Sequence, residues 1–166
     1  MPEPTQSLYE LRGNLAREQV LEGLAAIPVK LSALASAIGL SLWDGAAPGQ
    51  WSPFETLCHL RDAALVYGIR FRWIAFDDNP LLPNYDENAW VQNRVDMSLD
   101  ADEMILEFSA NRRGLVRMLG RLPDVAWART GRHEVLGAIP LEPYVRHQLA
   151  HELAHLDQIE AALARG

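Results

Sequence analysis

The chain has 166 residues, of which 49% are hydrophobic and 22% charged, and this suits one globular domain spanning residues 1–166 with its own core. Its formal net charge of -7 disfavours binding to nucleic acid, because a protein that neutralises phosphates needs a basic surface. The one cysteine, Cys58, excludes an internal disulfide framework and a cysteine-rich zinc site.

A first helix is predicted from Leu8 to about Leu40, where apolar residues recur every three or four positions. Pro28 lies inside this run and is expected to kink or divide the helix. No apolar run approaches the roughly 18 residues of a membrane span. The first residues also lack the basic-then-apolar order of a signal peptide. We therefore expect a cytoplasmic protein that binds no membrane.

The start of a second helix is predicted at Ser52–Glu55, which reads SPFE. A serine followed three residues later by a glutamate forms a capping box, and proline suits the first helical position. This helix should run to about Phe76. Residues 77–99 then break the helical pattern, and a connection of that length often holds a short helix, here expected near Glu87–Arg94.

Two further helices are predicted, from Asp100 to about Leu122 and from Leu141 to Ala164. Residues 123–140 are expected to be loop or short extended structure, too short to define a sheet. Four long helices without a convincing set of strands favour an all-α, four-helix bundle. Because the connections are mostly long, helices that are consecutive in sequence need not be neighbours in space.

The last predicted helix carries histidines at four-residue spacing, His147, His151 and His155. Adjacent members share a face of the helix, and an i, i+4 pair can direct two imidazoles at one metal ion. Residues 151–155 read HELAH, which matches the His-Glu-x-x-His pattern of zinc proteases. Those enzymes need a further ligand downstream, either another histidine or a glutamate on a following helix. Neither follows His155, so we exclude that class.

A third ligand must therefore come from earlier in the chain. His59, inside the second helix, is the best candidate, and His133, in a predicted loop, is the other. Three neutral imidazoles would leave open coordination positions for water or a substrate. Asp62, one turn after His59, could orient an imidazole through its second nitrogen.

The segment Gln50–Asp62, QWSPFETLCHLRD, resembles the signature of the DinB-like superfamily. In that signature Trp-Ser is followed by a glutamate three residues after the serine and then by His-Leu-x-Asp. Residues 78–90 resemble the family's middle segment, residues 131–137 the stretch before its last helix, and residues 147–159 its closing helix. These pieces occur in the expected order and cover most of the chain, from about Trp43 to Ala161.

The resemblance implies a four-helix bundle with an unusual crossover and a divalent transition metal, which could be zinc, nickel, iron or manganese. By position, its ligands would be His59, His151 and His155. It also implies a homodimer and a metal-dependent enzyme acting on a small-molecule substrate, of hydrolase or thiol S-transferase type, the latter with a low-molecular-weight thiol. The sequence departs from many relatives at Glu152–Ala154, where they carry Asp or a further His, and this weakens the inference about the substrate.

Between the two reactions, transfer of a thiol is slightly favoured over hydrolysis of a small amide. No dedicated general base is evident, and Glu152 should point away from the metal-facing side of the helix. The alternative is a non-catalytic metal- or ligand-binding protein of the same fold, acting in a stress response. A role in DNA repair is disfavoured by the acidic charge.

Other residues carry weaker expectations. Cys58 should be a small buried apolar residue, since it points about 100° away from His59 around the helix. Arg112 and Arg113 are expected on a solvated face. Trp51 and Trp90 are expected mainly to pack near helix starts, and their other possible role is to form a wall of the site. His133 and His147 are candidates for contact with the metal ligands or with the substrate.

Overall fold

A computed structural model describes residues 15–40, 49–93 and 100–165 of the chain. In chain order its elements are α1 (Arg17–Leu40), α2 (Pro53–Phe76), β1 (Leu81–Leu82), α3 (Glu87–Asn93), α4 (Ala101–Leu119), α5 (Asp124–Trp127), β2 (Thr130–His133), β3 (Gly137–Pro140) and α6 (Leu141–Leu163). The four long helices α1, α2, α4 and α6 form a bundle, which confirms the predicted fold. The part of the first predicted helix that precedes residue 15 lies outside the described residues.

Side-chain caps set the start of two bundle helices. Ser52 accepts a hydrogen bond from the backbone N–H of Glu55 at 3.1 Å, while the Glu55 carboxylate accepts one from the backbone N–H of Ser52 at 2.9 Å. Asp100 and Glu103 form the same reciprocal pair at the start of α4. Each box satisfies backbone donors that the first turn of a helix leaves without partners.

The first helix, α1, continues through Pro28 without division. It is also long and apolar enough, by length and composition, to cross a membrane, so the expectation that no segment qualifies needs correction. In the bundle its apolar stripe is buried against α4 and α6. Core helices of proteins in water can have the same length and apolar composition as a membrane-spanning helix. The stripe consists of Val20, Leu24, Ile27, Leu31, Ala35 and Ile38.

The four long helices follow one another around the bundle in the order α1, α4, α2, α6. Helices α1 and α2 are consecutive in sequence but lie diagonally opposite, each packed between α4 and α6. The chain therefore crosses the bundle between them, as the length of the predicted connections allowed. The expected homodimer stays a prediction, because the structure is of one chain. The expected cytoplasmic location also stays a prediction.

A small sheet in the order β1-β2-β3 lies beside the end of α2, where the sequence predicted only loop or short extended structure. Strand β1 pairs in parallel with β2, and β2 in antiparallel with β3. Gly131 permits this packing, because a Cβ atom there would lie 2.8 Å from Cγ1 of Ile74 and 2.9 Å from Cδ1 of Leu82. Strands this short leave too little alternation of apolar and polar residues to be detected in a sequence.

A buried ion pair joins the diagonal helices α4 and α6 through the middle of the bundle. Arg112 donates to the carboxylate of Glu152, and both side chains are 1% exposed. Gln148 donates to the same carboxylate oxygen at 3.1 Å. The expectation of a solvated face is therefore wrong for Arg112, whereas Arg113 is exposed. The correction has a physical reason: a charge can lie in a core when an opposite charge on another helix meets it.

This ion pair gives a test of the core. Replacing Glu152 with Leu leaves the Arg112 guanidinium buried without its carboxylate, and we expect a loss of about 3–5 kcal/mol in the free energy of unfolding. The double variant Arg112→Met/Glu152→Leu should lose less than the single variant, because both charges are gone. Chemical denaturation monitored by circular dichroism measures both. Arg113→Met is the matched control and should change stability by less than about 0.5 kcal/mol. The account would be contradicted if the loss of unfolding free energy in the double variant equalled the sum of the losses in Arg112→Met and Glu152→Leu.

Candidate metal centre

Helices α2 and α6 run antiparallel, and their contact brings three histidines together. His59 lies in the first half of α2, while His151 lies at the middle of α6 and His155 one turn later. The Nε2 atoms of His59 and His151 are 3.1 Å apart, and one ring nitrogen from each of the three residues lies within 4.8 Å of the others. All three side chains are buried. His151 and His155 are one helical turn apart, whereas His59 precedes them by 92 or more residues. The contact between the two helices thus brings the three into one compact cluster.

The donor set and spacing of this cluster fit a transition-metal ion. A tetrahedral ion bound by imidazole nitrogens at about 2.0–2.1 Å places those nitrogens about 3.3 Å apart. The observed 3.1 Å between His59 and His151 is close to this value. With three protein ligands, such an ion would keep a coordination position open.

The second ring nitrogens of the three histidines have different surroundings. The Nδ1 atom of His155 lies 3.0 Å from Oε1 of Gln158, whose amide nitrogen donates in turn to Thr56 at 3.4 Å. This contact holds the His155 ring and directs its Nε2 atom towards the cluster. The Nδ1 atoms of His59 and His151 are buried without a hydrogen-bond partner. Packing therefore orients those two rings.

Trp51 packs against two of the three histidine rings. Its ring centroid lies 4.7 Å from that of His59 and 6.2 Å from that of His155. Trp51 is therefore a wall of the site as well as a packing residue. Trp90 is 46% exposed and packs against Tyr85, outside the wall of the cavity. Only one of the two tryptophans singled out in the sequence thus contacts the cluster.

A cavity of about 380 Å³ opens beside the three histidines. That is the size of a pocket for a small organic molecule. Its walls come from α2, α6, the loop after β1, α3 and the turn between β2 and β3. Besides the cluster and Trp51, its polar and aromatic lining residues are Tyr67, Arg70, Asn84, Tyr85, Glu87, His133, Tyr144 and His147.

The structure separates the two histidines that the sequence offered as a third member of the cluster. His59 lies in the cluster, whereas His133 lies in the cavity wall, where its Nδ1 atom accepts hydrogen bonds from the backbone N–H groups of Val135 and Leu136 at 3.2 and 3.3 Å. His147 also lines the cavity, one turn before His151.

Two neighbours of His59 lie outside the cluster. Asp62 accepts hydrogen bonds from Arg61 at 2.8 and 3.0 Å and makes none to the His59 ring. Cys58 is half-buried, with its sulfur 3.4 Å from that of Met104, as expected of a small packing residue. Neither contributes a donor to the three-histidine group.

Several cavity residues were missed in the sequence, although a signal for them exists. On α2, Arg70 follows His59 by eleven residues, which places it only about 20° away around the helix. On α6, Tyr144 precedes His155 by the same interval. Extending the histidine-bearing face along each helix would therefore have identified both. Tyr85 and Asn84 carry no such signal, because they lie in a loop.

Burial keeps these imidazoles neutral. It lowers the pKa of His59 to about 3, with a further contribution from His155, and the pKa of His147 to about 4. Burial also lowers the pKa of His151 well below its ordinary value, as do the three neighbouring histidines. It lowers the pKa of His155, against the hydrogen bond to Gln158. Neutral imidazoles offer the lone pairs that a metal ion requires.

Acid should therefore destabilise the metal-free protein. These histidines take up protons near pH 6.5 in the unfolded chain but only at lower pH in the folded one, so stability falls as the pH drops below about 6.5. Each histidine contributes a slope of up to about 1.4 kcal/mol per pH unit. Urea denaturation in the presence of a chelator, between pH 7.5 and 5, measures the effect. His147→Gln should give a shallower slope, and stability that is constant or rises as the pH falls would contradict the prediction.

Helical bundles build metal and cofactor sites from side chains on facing helices, and three convergent histidines beside a cavity have that arrangement here. The sequence profile of the DinB superfamily matches residues 17–159, and the chain belongs to that superfamily. It is 24% identical over 160 residues to a protein of Bacillus subtilis (strain 168) named "Putative metal-dependent hydrolase YfiT", covering 91% of this chain and 89% of that protein.

A solved structure shows the same fold. Its description reads "YfiT from Bacillus subtilis is a probable metal-dependent hydrolase with an unusual four-helix bundle topology". Its TM-score against this chain is 0.84 at 21% sequence identity, covering 92% of this chain and 90% of that one.

Proposed function

We propose that this protein is a metal-dependent hydrolase that acts on a small molecule and holds one divalent transition-metal ion through His59, His151 and His155. The observation that carries the proposal is the convergence of three buried ring nitrogens, within 4.8 Å of one another, on the wall of a cavity of about 380 Å³. The naming of the Bacillus subtilis relative as a metal-dependent hydrolase supports the same reaction class.

The ion, when bound, would supply Lewis-acid activation of a carbonyl group or of water. The chain's residues provide the rest of the site. His59 and His151 come from different helices, so the packing of the bundle fixes their separation. Gln158 fixes the His155 ring through Nδ1. Trp51 covers the cluster on one side and reduces its contact with solvent.

The same geometry argues against a purely structural role for the ion. Structural zinc sites are usually closed by four protein ligands, whereas a catalytic site keeps one position for water or substrate. Within the part of the chain that the structure describes, the three histidines are the group of side chains that could hold a metal ion. The cavity beside them gives a small molecule access to the remaining position.

The first test is elemental analysis of the full chain purified without a metal-affinity tag. We expect one equivalent of a transition metal per chain in the wild type. Replacing any one of the three ligands should weaken metal binding, in the variants His59→Ala, His151→Ala and His155→Ala. The expected loss of affinity is larger than the loss of about 10–100-fold that follows removal of an outer hydrogen-bond partner. His147→Ala is the matched control, because it removes a histidine from the same face of α6 without removing a ligand. Retention of the metal in all three cluster variants would contradict the proposed site.

The second test concerns the reaction. The wild type, as purified and after exchange with zinc, nickel, manganese or iron, is assayed against small amides and esters, and separately against an electrophile with a low-molecular-weight thiol. We expect hydrolysis that is abolished by a chelator, lost in His151→Ala and retained in Arg113→Met. Turnover only in the presence of the thiol would replace hydrolysis by thiol transfer. Stoichiometric metal without any turnover would favour a metal-binding protein.

A further inference from the structure

Arg70, in the last third of α2, is a buried cation in the wall of the cavity. Its side chain is 4% exposed and lines the cavity that holds the three histidines. One terminal nitrogen donates to the hydroxyl of Tyr144 at 2.8 Å, and the other donates to the carbonyl of Pro83. The guanidinium also lies over the ring of Tyr85, 5.7 Å from its centroid. All three partners are uncharged.

Comparison with the other buried arginines shows what Arg70 lacks. Arg61 pairs with Asp62, and Arg112 pairs with Glu152. In the described ranges 15–40, 49–93 and 100–165, Arg70 forms no ion pair with a carboxylate. A buried charge is costly unless an opposite charge accompanies it. Within the described residues the guanidinium thus lies in the cavity wall without a carboxylate partner, and the cavity is the route by which an anionic solute would reach it.

The residues around Arg70 favour a singly charged anion. Asn84, Tyr85 and His133 line the cavity with uncharged polar side chains, while the nearby Glu134 carboxylate, outside the lining, already accepts from the backbone N–H of Asn84 at 2.7 Å. Glu87 also lines the cavity, and its carboxylate would repel a doubly charged group such as a phosphate monoester more strongly than a carboxylate. The planar fork of a guanidinium matches the two oxygens of a carboxylate.

The spacing of the two ends of the cavity indicates the shape of the molecule. Arg70 lies eleven residues after His59, or about 16 Å along the axis of α2 at about 1.5 Å per residue. Its partner Tyr144 lies seven residues before His151, or about 10 Å along α6. A ligand that contacts Arg70 at one end and the histidine cluster at the other must therefore be elongated.

We propose that Arg70 binds the carboxylate of an elongated small-molecule substrate whose reactive group lies at the three histidines. Arg70 is thus a specificity-determining residue, which selects anionic substrates by supplying the positive charge of a cavity in which no described carboxylate forms an ion pair with it. This assignment of the substrate class rests on the proposed hydrolase function, whereas the carboxylate site itself needs no metal.

The test measures binding of hexanoate and of hexanamide, which has the same chain without the charge. Calorimetry is performed on the full chain as purified and after chelator treatment, so that binding at a metal is separated from binding at Arg70. We expect the chelated wild type to bind hexanoate at least about tenfold more tightly than hexanamide, as a hydrogen bond to a charged group predicts. Arg70→Met should abolish this preference, and Arg70→Lys should retain part of it, because the charge remains and the fork is lost.

The matched control is Arg72→Met, which removes an exposed arginine of the same helix and should keep the preference. Circular dichroism melting verifies that each variant is folded. Equal affinity of the wild type for the two ligands, or a preference that survives in Arg70→Met, would overturn the proposal. Tighter binding of hexyl phosphate than of hexanoate would overturn the choice of a carboxylate. A preference that depends on Arg70 in a protein without metal would uphold the anion site while the proposed hydrolase function fails.

Discussion

The antiparallel contact between α2 and α6 is the constraint on which the site depends. It places the first half of α2 against the middle of α6, where His59 meets His151 and His155. It also places the last third of α2 against the start of α6, where Arg70 meets Tyr144. The cavity lies between these two contacts. A shift of one helix along the other by a single turn, about 5.4 Å, would separate both pairs at once. The histidine cluster and Arg70, at the two ends of the cavity, are thus fixed by the same packing.

The rest of the bundle holds this contact in place from the other side. Helices α1 and α4 cover the faces of α2 and α6 that point away from the cavity. Helix α6 therefore has two polar faces with different roles: its histidines face the cavity, while Glu152, adjacent to His151 in sequence, faces Arg112 in the core. Since consecutive residues of a helix are about 100° apart, one short segment can serve both the site and the interior.

Much of the fold was predictable because its signals are local. The capping residues Ser52 and Asp100 mark helix starts, and the four-residue spacing of His151 and His155 places them on one face. The environment of Arg112 was mispredicted, because an arginine reads as a surface residue until its partner on another helix is known. The three-stranded sheet was missed for two reasons: β1 pairs with β2 through residues about 50 positions apart in sequence, and the local pair β2 and β3 consists of strands too short to give a pattern.

The sequence by itself determined the four amphipathic helices, the family resemblance and the set of histidines from which a metal site could be built. It did so because helix periodicity, caps and i, i+4 spacing depend only on near neighbours. Spacing alone left His59 and His133 both open, the family resemblance selected His59, and the tertiary structure places His59 in the cluster and His133 in the cavity wall. Only the tertiary structure decided that Arg70 shares the cavity and, among the described residues, forms no ion pair with a carboxylate. Those outcomes depend on which helices are in contact and in what register, and such contacts join residues that are distant in the chain.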